Sequence, residues 1–460
     1  MLSKKMRALG VLLSIAISAG TFAGCSAGKG NSSDAKSNTG ETTATSETTK
    51  SSETKESSET TPAANTDEKV KLTVWYAVSG DSGEKFKAMV EEYDANTENV
   101  EIEISYSGKY ADTATKVSAA LASGTAPDVA LMAAGPLYTG GRGDFFIEEK
   151  VNSDGDFNKD DVFSGVWEYA KYNGKICAVP YGISTQVLYY NKKILEKAGI
   201  DTNNPPRTWD ELYEMAKLAQ EKGNINNSND FWGFEVSDVP WLFKSMLNQN
   251  ENSIIEVDGE TVTPVFNDEK AVEVANWWKK MIDENVMPVG QHDNAENKFL
   301  AGNVAFIVAS SNRVQKWAGE TTVELGAFTM PCFKKQSLAL GGNVLAIFGD
   351  EGTKKERAWE LVKYLSSAEK QTEFALETGY LPIRKSGVEM DIAKKMMEEN
   401  PMFRIAFSQL DYSWSYWHFD QMGTMDSIIS DAVEAIEKNV ATPEDALNDA
   451  VDTLKNEIEG

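Results

Sequence analysis

Val70-Lys71-Leu72-Thr73-Val74-Trp75-Tyr76 alternates apolar and polar residues with the period of a half-buried strand. Behind it, Phe86, Met89, Val90 and Tyr93 recur at the spacing of a helix face, with Asp81 and Ser82 ahead of them as candidate caps. A second strand is read in Val100, Ile102 and Ile104, and a second helix around Val117 and Leu121. The turn Gly124-Thr125-Ala126-Pro127 then leads into a third strand from Val129 to Met132. Strand and helix alternate through this stretch, which specifies an α/β domain on a mostly parallel sheet. A second such region begins near Val187-Leu188-Tyr189-Tyr190, and the C-terminal part reads as helix from Lys354 to Glu377 and from Asp426 to Glu459.

Working outward, 460 residues exceed what one core organises, so two domains plus non-globular segments are expected. Residues 1–25 form a secretory signal. Lys4, Lys5 and Arg7 precede an apolar run from Ala8 to Ile17, too short to span a bilayer, followed by the small-residue stretch Ser18 to Cys25. The end, Phe22-Ala23-Gly24-Cys25, resembles the bacterial lipoprotein box, which implies cleavage before Cys25 and lipidation of that residue; Phe22 departs from the usual Leu. From Ser26 to Thr66, 19 of 41 residues are Ser or Thr and none is aromatic, so 26–68 cannot build a core and reads as a flexible tether. At about 5–6 Å times the square root of its length it would hold the body some ~35 Å off the membrane.

The formal net charge of -26 argues against a nucleic-acid partner. Cys177 and Cys332 are too few for a disulfide framework, leaving either one bridge or two inert buried thiols. His292 and His418, 126 positions apart, offer no metal pair, and there is no Cys-x-x-Cys, no Gly-x-Ser-x-Gly and no phosphate-cradling glycine loop. Gly140-Gly141-Arg142-Gly143 reads as a flexible loop. Acid pairs are trivially available among 71 carboxylates, so a glycosidase is not excluded by inventory.

Several stretches match one family in order and spacing: Gly124-Thr125-Ala126-Pro127-Asp128-Val129, Val187-Leu188-Tyr189-Tyr190-Asn191-Lys192, Pro206-Arg207-Thr208-Trp209-Asp210-Glu211-Leu212, Phe299-Leu300-Ala301-Gly302 and Thr378-Gly379-Tyr380-Leu381-Pro382. Over residues 69 to 460 the chain resembles the extracellular solute-binding proteins of bacterial ABC importers, and within them the glycerophosphate-binding branch. The resemblance implies a two-lobed, type II periplasmic-binding-protein-like α/β fold with a central cleft. Its discontinuous lobes would be 69–180 with 341–381 and 181–340 with 382–460, hinged at Val179-Pro180-Tyr181-Gly182.

Carried over residue by residue, the family's ligand contacts fall on Tyr110, Ser184, Ser310, Gly342 and Tyr380. Tyrosine offers an apolar face and a hydroxyl, serine a short donor and acceptor, and glycine close backbone approach. Two departures weigh against a phosphate: Ala134 stands where the branch has glutamate, and Ser427 where it has arginine. Lys109, at a helix N-terminus, is the one substitute in view. Aromatic density in Tyr412-Ser413-Trp414-Ser415-Tyr416-Trp417-His418-Phe419 instead suits sugar faces. Trp241, Trp414 and Trp417 are the candidate platforms, with Trp232, Trp75 and Tyr76 as further aromatics, while Trp209, Trp277 and Trp278 read as core.

The expectation is a monomeric, non-enzymatic lipoprotein at the extracellular face of the membrane, of Gram-positive type. It would capture a sugar or oligosaccharide without a cofactor and hand it to ABC permease subunits. A binder of glycerol-3-phosphate or a glycerophosphodiester, a surface-anchored carbohydrate-active enzyme and an adhesin are the alternatives.

Overall fold

The computed structural model describes residues 69–134, 146–172, 174–259, 261–290, 292–320, 323–349 and 352–460. All belong to one unit, Asn65–Gly460. The expected signal, Cys25, the tether and the Gly140–Gly143 loop lie outside the described residues.

The first sheet begins with β1 (Val70–Tyr76), β2 (Val100–Tyr106) and β3 (Val129–Met132). In β1 the inward residues Leu72, Val74 and Tyr76 are buried and their neighbours are not, as the alternation requires. Helix α1 (Asp81–Asn96) packs Phe86, Met89 and Val90 on this face. Each such side chain contributes about 1.5–3 kcal/mol on burial. The helix is entered through Gly80, at φ 62, and Asp81 lies in its first turn rather than at the cap. Helix α2 (Tyr110–Ser123) ends at Gly124 in the left-handed conformation.

The chain then runs through β4 (Val179–Ser184) and, one residue later, β5 (Gln186–Asn191). β4 completes the first sheet, whereas β5 belongs to a second sheet with β6 (Trp232–Val236), β7 (Val304–Ser310) and β8 (Leu325–Phe328). β9 (Gly341–Ile347) returns to the first sheet. The orders are β2-β1-β3-β9-β4 and β8-β5-β7-β6. β1 pairs in parallel with β2 and β3, but β9 runs antiparallel to both β3 and β4, and the second sheet has one parallel pairing, β6 with β7. The sheets are therefore mixed rather than mostly parallel. A strand arriving directly from the other sheet, with no helical crossover, enters from the opposite end.

Helices cover both sheets. On the second-sheet side are α3 (Trp209–Lys222), α4 (Val239–Gln249) and α5 (Glu269–Asp283). Thr208 and Glu211 cap α3 reciprocally, and Trp209 is buried with its indole N–H donated to Gln249 at 2.7 Å. Trp277 and Trp278 are likewise core.

Each of the two long C-terminal helices expected from sequence is broken. The first is α6 (Thr353–Leu365) and α7 (Ala368–Thr378), separated where the Ser367 hydroxyl caps Lys370 N–H at 3.3 Å. The second is α8 (Met422–Glu437) and α9 (Pro443–Glu459), separated by Asn439 at φ 57 and a new start at Thr442-Pro443. Cys177 and Cys332 are not joined in a disulfide and are half-buried rather than buried, their thiols directed at the carbonyls of Ala170 and Arg207 at 3.3 and 3.7 Å.

Candidate functional site

Of the predicted residues, Tyr110, Tyr380, Gly342, Ser184 and Trp241 stand where the strands pass between the sheets. Tyr110 opens α2, and Tyr380 follows Gly379, the left-handed cap of α7. Their hydroxyls meet at 3.2 Å. Buried Asn343, on β9, donates from Nδ2 to the Tyr110 hydroxyl at 3.2 Å and accepts the Gly182 N–H at Oδ1 at 2.9 Å. Tyr169 donates its hydroxyl to the Gly342 carbonyl at 2.9 Å. Gly342 is needed for a closer reason than a ligand: with φ +127, a Cβ there would stand 1.9 Å from the Gly182 carbonyl oxygen.

Ser184 and Trp241 meet across Gly341. A Cβ on that glycine would lie 2.8 Å from Trp241 Cζ2 and 3.2 Å from Ser184 Oγ. Trp241 is half-buried on α4, its indole N–H donated to the Ala339 carbonyl at 2.9 Å.

Behind it on the same helix, Lys244 is 1% exposed and ion-paired with Asp426 of α8. Its ammonium is 3.1 Å from the Tyr416 hydroxyl and 4.2 Å from that ring's centroid. Burial pushes this ammonium down, but the Asp426 carboxylate and Tyr416 hydroxyl outweigh burial and hold it above the ordinary lysine range. Asp238 adds a second carboxylate within electrostatic reach of Lys244 and Asp426.

Tyr169 joins the two groups. Burial, then Tyr416, Tyr380 and Asp426, raise its phenol, which is also met by the Ala134 amide. His418 packs edge-on against Tyr169 and Tyr416, both at 5.7 Å, and its Nδ1 lies 3.0 Å from the Lys171 carbonyl. Burial lowers it to about 4, so it is a neutral imidazole at ordinary pH.

Other predicted residues stand elsewhere or do other work. Ser310 ends β7 opposite Gln186, with its hydroxyl near Asn312 N–H and its carbonyl accepting the Tyr189 hydroxyl at 3.0 Å. Trp414 forms a short bridge with Leu338–Ala339, and its buried indole N–H has no partner among the described residues. Trp417 lies against Gly174, where a Cβ would be 3.2 Å from its ring. Trp232 donates to Asp230 at 2.7 Å, while Trp75 and Tyr76 pack into the first-sheet core. Lys109 is exposed, and Asp112 already accepts its backbone N–H, so an acid occupies that helix N-terminus.

Sequence reasoning missed Asn343, Tyr169, Lys244 and Asp426. Lys244 had a legible signal, a lone charge inside Leu242-Phe243-Lys244-Ser245-Met246-Leu247, which can be buried only with a partner. Asp426 neighbours Ser427, which is exposed and bonds back to the Gly423 carbonyl.

His292 belongs to a separate buried cluster. Its Nδ1 and Nε2 stand 2.9 Å from Glu235 and Glu437, which are fully buried or nearly so. Glu437 also takes the Trp278 indole N–H and the Gly290 amide, both at 2.8 Å. Burial pushes the imidazole down, but the two carboxylates raise it to about 9. Among the described residues no group of three or more acidic, His or Cys side chains could hold a metal, and no helix is long and apolar enough to cross a membrane.

Two α/β sheets exchanging strands, with aromatic hydroxyls at the exchange, are the architecture of periplasmic solute-binding proteins. The chain belongs to the bacterial extracellular solute-binding protein family, whose pattern matches residues 88–403. It is 25% identical over 418 residues to the sn-glycerol-3-phosphate-binding periplasmic protein UgpB of Escherichia coli, covering 85% of this chain and 92% of that one. Its fold is similar to that of the cyclic alpha-maltosyl-1,6-maltose binding protein of Arthrobacter globiformis, with TM-score 0.70 and 22% identity over 85% of this chain and 99% of that one. It is also similar to UgpB of Mycobacterium tuberculosis in complex with glycerophosphocholine, with TM-score 0.71 and 21% identity over 84% and 97%. The chain is therefore an extracellular solute-binding protein and not an enzyme, which sets the carbohydrate-active-enzyme alternative aside.

Proposed function

We propose that this protein captures an extracellular sugar or oligosaccharide at the Tyr110–Tyr380–Trp241 junction and delivers it to the membrane subunits of an ABC importer. The observation that carries the reading is the state of Lys244, the cation that the described residues place among the tyrosines. It is buried and already paired with Asp426, and Asp238 adds further negative charge. A phosphate arriving there meets carboxylates; a polyol meets hydroxyls, an indole face and carboxylate acceptors. The Arthrobacter neighbour's named ligand, a cyclic maltosyl-maltose, is of this class.

The second reading, glycerol-3-phosphate or a glycerophosphodiester, draws on the Escherichia coli relative and the Mycobacterium tuberculosis complex. A thermal-shift panel separates the two, since a ligand at a hundred times its Kd stabilises by about 2.7 kcal/mol. Maltose, maltotetraose, mannotriose and tagatose are compared with sn-glycerol-3-phosphate and glycerophosphocholine. At least one saccharide is expected to raise the melting temperature and the phosphates are not. Stabilisation by a phosphate ester alone overturns the carbohydrate reading.

The lobes proposed are 69–180 with 341–381 and 181–340 with 382–460, closing about the solute. Lipid on Cys25 and the 26–68 tether would keep the receptor near its transporter. A Cys25→Ser protein is expected in the culture medium rather than the membrane fraction; full retention in that fraction would contradict a lipid anchor.

A further inference from the structure

β9 loses its register against β4 between Gly342 and Val344. The extra residue is on β4, where Tyr181 and Gly182 together face the single Asn343 of β9, whose wholly buried amide reaches both β4 and α2. The atom facing the Gly182 N–H at 2.9 Å must be the amide oxygen, because a backbone N–H only donates. The other end, Nδ2, therefore donates to the Tyr110 hydroxyl at 3.2 Å. Tyr110 remains protonated, its phenol pushed well up by burial and by Tyr380. Its hydrogen has the Tyr380 oxygen, 3.2 Å away, as acceptor among the hydrogen bonds described.

We infer that Asn343 is a positioning residue that makes Tyr380 a hydrogen-bond donor to the solute, so that the solute atom meeting Tyr380 is an acceptor oxygen. This rests on the proposed contact of the tyrosine pair with the solute. Hydrogens run one way through the chain: Asn343 to Tyr110, Tyr110 to Tyr380, Tyr380 outward. Gly182 sets the direction by fixing the amide, and a Cβ on Gly182 would displace it, standing 2.7 Å from Asn343 Nδ2.

Asn343→Asp tests the direction. Once ionised, the introduced carboxyl keeps the Gly182 bond with one oxygen and takes the Tyr110 hydrogen with the other. Tyr110 then accepts from Tyr380, and Tyr380 presents a lone pair instead of a hydrogen. In calorimetric titrations with maltose, maltotetraose, mannotriose and tagatose, each sugar that the unaltered protein binds should lose roughly tenfold or more in affinity at pH 7.5. Affinity should recover as pH falls and the carboxyl regains its hydrogen, while the unaltered protein stays flat over the same window. Equal affinity at every pH in a folded variant overturns the inference.

A second readout needs no sugar. Ultraviolet resonance Raman of the tyrosine doublet should show, in Asn343→Asp at pH 7.5, one tyrosine donating to a carboxylate, absent after Tyr110→Phe is added. No spectral change overturns the inference as well. If the Raman change appears but Tyr380→Phe binds sugars unaltered, the hydrogen direction stands and it is the site assignment that fails.

Discussion

Replacing His292 with alanine is expected to destabilise the protein by about 3–5 kcal/mol, because it strands two buried carboxylates without their shared cation. Glu235 and Glu437 lie on β6 and α8, and the Trp278 bond ties α5 to the same point, so the imidazolium fastens three elements of the second-sheet side. Linkage gives the sign of the pH dependence. The folded imidazole titrates at about 9, above an unfolded value of about 6.5. Its contribution is therefore fully present below about pH 6.5 and is lost as pH rises through 9, a change of about 3 kcal/mol. Denaturant midpoints measured from pH 6 to 9.5 should fall for the unaltered protein and stay nearly level for His292→Gln. A His292→Ala protein that unfolds at the unaltered midpoint would show that the cluster carries no such weight. Adding Glu235→Gln and Glu437→Gln to His292→Ala should restore part of the loss, since the stranded charges are then gone.

Trp241→Ala is expected to weaken saccharide binding by about 2–4 kcal/mol, roughly 30- to 1000-fold, the scale on which a central aromatic anchor acts. The indole N–H is fixed by the Ala339 carbonyl, and the ring lies against Gly341, where a Cβ would come within 2.8 Å of it. Trp241→Phe keeps a platform and loses the bond, so its effect should be smaller. Unchanged affinity in Trp241→Ala would remove the tryptophan from the site. Tyr380 is less suited to truncation. It is 4% exposed and stacks on Phe374 at 5.7 Å and 12°, so removing the ring would open the first-sheet core, whereas Tyr380→Phe deletes only the hydroxyl.

The first βαβαβ run was legible because its apolar residues keep strict periods, two in β1 and three to four in α1. Length was less legible than type. Lys354 to Glu377 and Asp426 to Glu459 keep helical periodicity across their breaks, and only the caps reveal the divisions, Ser367 in one case and Thr442-Pro443 in the other. Strand direction was hidden for another reason: β9 is antiparallel because of where the preceding chain has been, which no local pattern records.

At the junction, Tyr110, Ser184, Tyr380 and Trp241 were named from sequence, yet the groups that orient them were not. Asn343 looks like any strand residue after Gly341-Gly342, and its importance comes from a bulge that only pairing defines. Asp426 reads as one of 71 carboxylates until Lys244, 182 positions earlier, is placed against it. Trp417, whose aromatic neighbourhood reads as a sugar platform, lies with its ring against Gly174 and packs on the second-sheet core.

The most direct test of the carbohydrate reading is calorimetric titration of the unaltered full-length protein. The saccharide that stabilises it most and sn-glycerol-3-phosphate are titrated separately, each repeated on Trp241→Ala. Saturable binding of the saccharide at one site per chain, weakened by the substitution, with no heat from the phosphate, is the predicted result. Saturable binding of glycerol-3-phosphate with no response to any saccharide would contradict it.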